Sequence, residues 1–306
     1  MPGQPRVTVL LATHQGLAWL PEQVGTILGQ QGVDVLLRVS DDASTDGTAA
    51  WLDDLAARDP RVTVLPPVRS GGAAPNFARL LRDVDADAAG LVALADQDDV
   101  WAPDKLATQV RALQGGYDGV SSDVTAFRPD GTRFLVRKSY PQRRLDWLFE
   151  GPGPGCSFVL APRLVRLLQE LLADPASPAS TMAFHDWMVY GAARARGWPW
   201  LIEARSTLDY RQHDSNAFGA HRGLSSRLAR LRLVRAAWHR REAALMARVG
   251  LQVAEQPLRG ELEHLLPLLE DTSPRARAAL ARYAPHARRR PRDRAVLGAL
   301  IAGGLW

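Results

Sequence analysis

Residues 7–12 (Val-Thr-Val-Leu-Leu-Ala) are almost unbroken in apolar side chains, the pattern of a strand buried on both faces. Similar short runs recur at 35–40, 62–65 and 90–95. Segments of helical character lie between them. Pro21-Glu22 opens one that runs to about Gln31, and another follows the Ser/Thr/Asp cluster that ends at Thr48. Pro75–Asp83 forms a third, and Pro103 starts a fourth that runs to about Leu113. Four strand–helix alternations predict an α/β body with a mostly parallel, doubly wound sheet.

The pattern is more mixed over 119–215. Strands are expected at 119–127 and 132–137 around the turn Pro129-Asp130-Gly131, at 156–160, at 199–203 and at 207–212. Helices are expected at 162–172 and from about 185 to 196, with loops at 151–155 and 173–181. From Gly223 onward Leu, Ala and Arg dominate at helical spacing, as in Leu224, Leu228 and Leu231 and in Leu262, Leu265, Leu266 and Leu269. The chain divides on this reading into a body, 1–220, and a helical extension, 221–306.

Charge sharpens that division. The net charge of +5 conceals a body with 21 basic and 26 acidic residues and an extension with 17 basic and 7 acidic ones. Of the 38 basic residues all but Lys105 and Lys138 are arginine. The extension reads either as helices with a solvated basic face or as an interfacial segment. In the second reading, Arg288 to Arg294 would lie beside the apolar 295–306 with its terminal Trp306, giving peripheral contact with a membrane. No recognition motif accompanies the arginines, so nucleic acid is not an expected partner.

A hydrophobic content of 46% with 23% charged residues is that of a folded protein. Cys156 is the only cysteine, which excludes a disulfide framework or a cysteine-based metal site within one chain and fits a reducing, cytoplasmic compartment. The first residues show no signal-peptide pattern. The apolar run 295–306 is about half the length a bilayer span requires.

Candidate chemistry collects where the strands end, the place at which open parallel sheets bind ligands. Thr13 and His14 end the first strand and Asp41 and Asp42 the second, although an Asp-x-Ser-x-Asp-Gly run also serves as turn and cap. Asp96-Gln97-Asp98-Asp99-Val100-Trp101 follows the fourth. Three carboxylates within four residues repel one another unless a cation compensates, and an oxygen-rich set suits Mg²⁺ or Mn²⁺.

These pieces together resemble the inverting family 2 glycosyltransferases of GT-A fold, the bacterial rhamnosyltransferase-like members in particular. The resemblance covers roughly residues 6–220. It rests on Val7–Thr13, the turn Val39-Ser-Asp-Asp-Ala-Ser-Thr-Asp-Gly47, Asn76-Phe77, Ala95–Trp101, Gly155-Cys156, His185-Asp186-Trp187 and Tyr210-Arg-Gln-His213-Asp-Ser-Asn216. It implies a GT-A catalytic domain, a nucleotide-sugar donor, and a glycan or lipid-linked acceptor in cell-surface polysaccharide synthesis. A deoxysugar such as L-rhamnose on dTDP is the donor it suggests first. Nucleotide-sugar contacts are implied for Thr13, Asp41, Asp42, Asn76, Asp96, Gln97, Trp101 and Gly155. Asp98 and His213 are implied as ligands of Mg²⁺ or Mn²⁺, and Asp186 as catalytic base.

Asp186 should open a helix, whose positive end would keep it ionised. The family usually pairs this base with a preceding acidic residue, and here that neighbour is His185. Gly151-Pro-Gly-Pro-Gly155 is expected to bring backbone close to donor sugar or acceptor, and Cys156 to be a small buried neighbour of the site. Arg69 and Arg211 are candidates for the diphosphate, though arginine is too abundant for either to be specific. Two other functions remain open: a sugar-1-phosphate nucleotidyltransferase, which would want a Gly-rich loop where Thr13–Trp19 stands, and a non-catalytic nucleotide-sugar binder.

Overall fold

The computed structural model describes residues 3–213 and 238–306. The boundary expected at 220/221, the motif residues Asp214, Ser215 and Asn216, and Leu224, Leu228 and Leu231 lie outside them. Strands β1 (Arg6–Thr13), β2 (Asp34–Asp41), β3 (Val62–Val64) and β4 (Leu91–Ala95) run parallel. They alternate with helices α1 (Leu20–Leu28), α2 (Thr48–Arg58) and α3 (Ala73–Asp83). β5 (Val100–Trp101) and α4 (Lys105–Gln114) come next, followed by β6 (Gly119–Ser122), β7 (Val124–Phe127), β8 (Arg133–Val136) and β9 (Val159–Leu160). Helices α5 (Pro162–Leu172), α6 (Pro178–Thr181) and α7 (His185–Ala195) precede β10 (Trp200–Glu203) and β11 (Leu208–Arg211). The main sheet has the order β10-β6-β9-β4-β1-β2-β3, and a smaller one the order β5-β11-β7-β8. The main sheet is parallel except at β9, which runs antiparallel to β4 and β6.

β1 shows why the apolar run is a central strand. Val7, Val9 and Leu11 pack into one helical layer, and Leu10 and Ala12 into the other. A period of two with both faces covered leaves a single polar position between Val7 and Ala12, Thr8, whose hydroxyl donates to the Ala89 carbonyl at 2.9 Å. The helices bury one stripe each. In α1 it is Leu20, Gln23, Val24 and Ile27, and in α5 Leu164, Val165, Leu168, Leu171 and Leu172.

Three expected elements differ. The strand foreseen over 119–127 is two strands in two sheets. Between them Asp123 is 1% exposed, and its carboxylate accepts from the Lys138 and Ser139 amides (2.6 and 2.8 Å) and from the Ser139 hydroxyl (2.8 Å). A buried carboxylate must find donors, and those donors turn the chain from one sheet to the other. The strand foreseen at 156–160 shortens to β9, because Gly155–Ser157 forms a 3₁₀ turn with Ser157 N–H on Pro154 O (3.0 Å). The loop at 173–181 contains α6, capped by Ser177, whose hydroxyl accepts from the Ser180 amide at 3.1 Å.

Beyond residue 238 come α8 (Trp238–Val253), α9 (Leu258–Glu270), α10 (Pro274–Ala281), α11 (Ala284–Ala287) and α12 (Pro291–Ala302). Their apolar faces join the core already formed by α3, α5 and α7. The fit of α7 to α8 is close: a side chain at Gly191 would meet the Met246 sulfur at 2.1 Å.

The solvated basic face expected here is corrected at its centre. Arg240 is 5% exposed and donates to the carbonyls of Leu269 (2.7 Å) and Leu268 (2.9 Å), closing the C-terminal end of α9. Arg289 is buried and pairs with Asp146 (3.1 Å) and Glu150 (3.5 Å). The apolar end is divided: Val296 and Leu305 are more than half exposed, whereas one face turns inward. Leu297, Ile301 and Trp306 are buried, and the Trp306 ring packs on Phe149 with centroids 5.6 Å apart. No described helix is long and apolar enough to cross a membrane.

Candidate active site

A cleft of about 1150 Å³ opens at the carboxyl ends of β1 and β4. Thr13, Asp42, Asn76, Asp96, Gln97, Asp98, Gly155, Asp186 and His213 all line it, so most of the expected site residues meet there. Asp41 and Trp101 do not. The Asp41 carboxylate turns away to accept from the Ser44 amide (2.8 Å) and hydroxyl (2.5 Å). Trp101 is buried in the core under the Lys105 ammonium, which lies 3.8 Å from its ring centroid.

Several lining residues spend their polar atoms on shaping the walls. Gln97 accepts from the Thr13 hydroxyl (2.7 Å) and the His14 amide (2.8 Å) and donates to the His14 carbonyl (3.0 Å), tying β4 to the end of β1. Asn76 donates to the Ser40 carbonyl at 2.9 Å. Asp42 accepts from the amides of Ser70, Gly71 and Gly72. Burial opposes its ionisation, but those three donors outweigh it and hold the carboxyl below the usual range. Arg211 donates to the Asp98 carbonyl (2.7 Å) and pairs with Glu22 (2.5 Å), whereas Arg69 is exposed and does not line the cleft.

The acidic run forms two groups. Asp98 points into the cleft, where its carboxylate meets the His213 Nε2 at 2.6 Å. Trp19 stacks on the His213 ring with centroids 4.3 Å apart and an 8° tilt, which fixes the imidazole plane. Asp96, which also lines the cleft, has its carboxylate within 4.8 Å of ligand atoms of the buried Asp99 and Cys156. Burial, followed by the charges of Asp98 and Asp186, pushes Asp96 up to about 7. Burial raises Asp99 as well, and its Oδ2 has no hydrogen-bond partner among the described residues. Such crowding of oxygens beside an imidazole fits a hard divalent cation.

Asp186 is the second residue of α7, and its Oδ1 accepts from the Trp187 amide at 2.7 Å. The helix end does not hold it in the ordinary range. Burial pushes it up to about 6, against the opposing pull of that amide and of Lys138. Desolvation outweighs the helix-start amide, so the carboxyl stands above the ordinary aspartate value. His185 stacks on Phe77 (centroids 3.9 Å apart), and burial lowers it to about 3, so the ring is neutral. It approaches Gly155 so closely that a side chain there would meet its Nε2 at 2.4 Å.

Comparison with known proteins decides the family. A sequence model described as glycosyl transferase family 2 matches residues 8–172. The chain belongs to this family. It is a glycosyltransferase of GT-A fold. The dTDP-rhamnosyl transferase RfbG of Shigella flexneri is 35% identical over 240 residues, which cover 78% of this chain and 83% of that protein. Among solved structures, S. aureus TarS 1–349 in complex with UDP-GlcNAc superposes with a TM-score of 0.57 at 13% identity, covering 98% of this chain and 88% of that one. The mannosyltransferase PcManGT from Pyrobaculum calidifontis, in complex with GDP-Man and Mn²⁺, gives 0.52 at 20% identity, covering 100% and 82%.

Family membership removes the nucleotidyltransferase and non-catalytic readings. Sequence reasoning missed a second wall of the cleft: Lys138, Glu150, Trp238, His239 and Arg288. One signal was present, since Lys138 is one of only two lysines among 38 basic residues.

Proposed function

We propose that this enzyme transfers a deoxysugar, L-rhamnose, from a dTDP-linked donor to a hydroxyl of a glycan or lipid-linked acceptor, with inversion and with a divalent metal. The supporting observation is that Asp186 and the Asp98–His213 pair, remote in sequence, line a single cleft. The donor follows from the relative, a dTDP-rhamnosyl transferase aligned over most of both chains.

Asp98 and His213 would hold Mg²⁺ or Mn²⁺, which supplies charge stabilisation at the diphosphate. Asp186 takes the proton of the attacking hydroxyl. A carboxyl that titrates near 6 is a better proton acceptor than an ordinary aspartate and remains mostly ionised at neutral pH. The acceptor oxygen bonds to the anomeric carbon as the bond from that carbon to the phosphate oxygen breaks, and the electron pair leaves on the nucleoside diphosphate. A single displacement inverts the anomeric centre. Gly155 lets His185 pack against the loop before Cys156, and the neutral ring adds no charge beside the base. Thr13 and Gln97 hold the end of β1 open toward the nucleotide.

The test is incubation of purified enzyme with dTDP-β-L-rhamnose, UDP-glucose or GDP-mannose and a panel of glycosyl acceptors, with and without Mn²⁺. Proton NMR of the product reads the anomeric configuration. Inverted rhamnoside, lost on chelation, is expected. Retention, or preference for another donor, overturns the corresponding part of the proposal.

A further inference from the structure

The wall of the cleft beside Asp186 carries positive charge that its own partners do not neutralise. Arg289, from the loop after α11, takes the local carboxylates. Its side chain pairs with Asp146 and Glu150, and its amide donates to Glu150 at 2.5 Å. Arg288, one residue earlier, reaches Glu150 only at 3.8 Å and stays partly open to the cleft. Lys138, two residues beyond β8, lines the same wall and has no ion-pair partner within 4.0 Å among the described residues. Burial and the two neighbouring guanidinium groups lower its ammonium, although Glu150 and Asp186 pull the other way. Burial lowers Arg288 too. Glu150, the nearest acid to both cations, is already shared with Arg289, so an anion entering the cleft would find two cations with one divided counter-ion.

An aromatic surface adjoins them. Trp238, the first residue of α8, meets Phe184 edge-on with centroids 5.3 Å apart and lines the cleft together with His239. Aromatic faces beside fixed cations accommodate a ligand that is apolar or ring-shaped at one end and anionic at the other. The donor's expected contacts, Thr13, Gln97, Asp98 and His213, come from other elements of the cleft. Lys138 is instead close enough to Asp186 to bias its ionisation.

We infer that Lys138 and Arg288 form an anion subsite for the acceptor, and that the acceptor is a sugar carried on a phosphate or diphosphate. The inference rests on the reading of Asp186 as the base, since the hydroxyl it serves must lie beside these cations. A phosphoryl group suits them better than a carboxylate. It offers three oxygens and up to two charges to cations presented by two separate elements, whereas a carboxylate is satisfied by one arginine fork. The extension therefore contributes to substrate choice through Arg288 and Trp238.

The test uses the full chain with its donor site filled by dTDP and Mg²⁺, and reads quenching of tryptophan fluorescence. Phenyl phosphate, benzoate and phenyl β-glucoside are titrated as phosphoryl, carboxylate and neutral probes, and undecyl diphosphate as a lipid-bearing one. Phenyl phosphate is expected to bind at least about tenfold more tightly than benzoate or the glucoside. Lys138→Ala and Arg288→Gln should each weaken it about tenfold, and Lys138→Arg should restore most of the loss. Affinity for dTDP, measured separately, should not change in any variant. Undecyl diphosphate binding more tightly than phenyl phosphate would assign the anion to a lipid carrier; equal binding would assign it to a soluble sugar phosphate. Equal affinity of the wild type for all three aryl probes overturns the inference, and that comparison needs no variant to fold. Loss of dTDP binding in the variants also overturns it, by giving the cations to the donor. Failure of wild-type enzyme to bind dTDP would instead count against the proposed donor.

Discussion

β1 and β4 deliver their polar residues to the cleft from the ends of buried strands, while α8 to α12 deliver theirs from a helical layer rich in arginine. On the strand side the charges are carboxylates crowded together, with Asp96 raised to about 7. On the helical side Arg240 and Arg289 are buried and held by internal partners, whereas Arg288 remains partly open to the cleft. One residue type thus does three jobs within fifty-five residues of chain: closing a helix end, neutralising buried acids and facing the cleft. Neither net charge nor local density of arginine separates these jobs. The partner that each guanidinium meets does.

The comparison can be broken first at the base. Asp186→Asn should lower the transfer rate by about 10²–10⁴-fold while leaving donor affinity within about threefold, read by initial rates and donor titration. If rate and donor affinity fall together, Asp186 shapes the donor site instead. Next is the buried pairing. Among the described cations, Arg289→Met leaves Asp146 with only Arg194 and Glu150 with only the longer contact to Arg288, and should cost about 3 kcal/mol of stability in urea unfolding. A loss below about 1 kcal/mol would mean the layer is held by apolar packing alone.

The pH profile sharpens the role of burial at Asp186. Its protonated form cannot take a proton, so transfer at low acceptor concentration should fall about tenfold per pH unit below about 6 and flatten above it. Stability should move the opposite way. The folded state keeps this proton up to about 6 whereas an ordinary aspartate releases it near 3.8, so stability falls as pH rises between those values. Asp186→Asn should lessen that slope, and the part carried by Asp96 and Asp99 should remain. At the small end, Arg166→Ala breaks an ion pair with Asp87, whose side chains are 48% and 82% exposed, and should change stability by no more than about 1 kcal/mol. A larger loss would show that surface arginines matter here as much as buried ones.

The strand side was legible because burial on two faces leaves only one arrangement for Val7–Thr13, and because polar residues at strand ends converge wherever parallel strands align. Asp96 and Asp98 were readable in that way, whereas Asp186, at a helix start, and His213 were singled out only through the family resemblance. Asp41 and Trp101 fall outside the cleft lining because local geometry takes up their side chains. An Asx-type turn to Ser44 consumed one, and core packing under Lys105 consumed the other. The helical side was not legible. Its arrangement depends on pairs such as Arg289 with Asp146, separated by 143 residues, and no periodicity encodes that distance. The break at Asp123 was hidden for the same reason, since its partners lie at Lys138 and Ser139, across a hairpin.

Arg289 has a consequence in time as well as in space. It donates to the Gly151 carbonyl, so it helps fix the loop that carries Gly155 beside Asp186. A growing chain makes Asp186 about 100 residues before it makes Arg289, a delay on the order of 5–20 s at ordinary rates of synthesis. During that interval the loop at Gly151 lacks this anchor, so the wall beside Asp186 is completed only when the end of the chain is made.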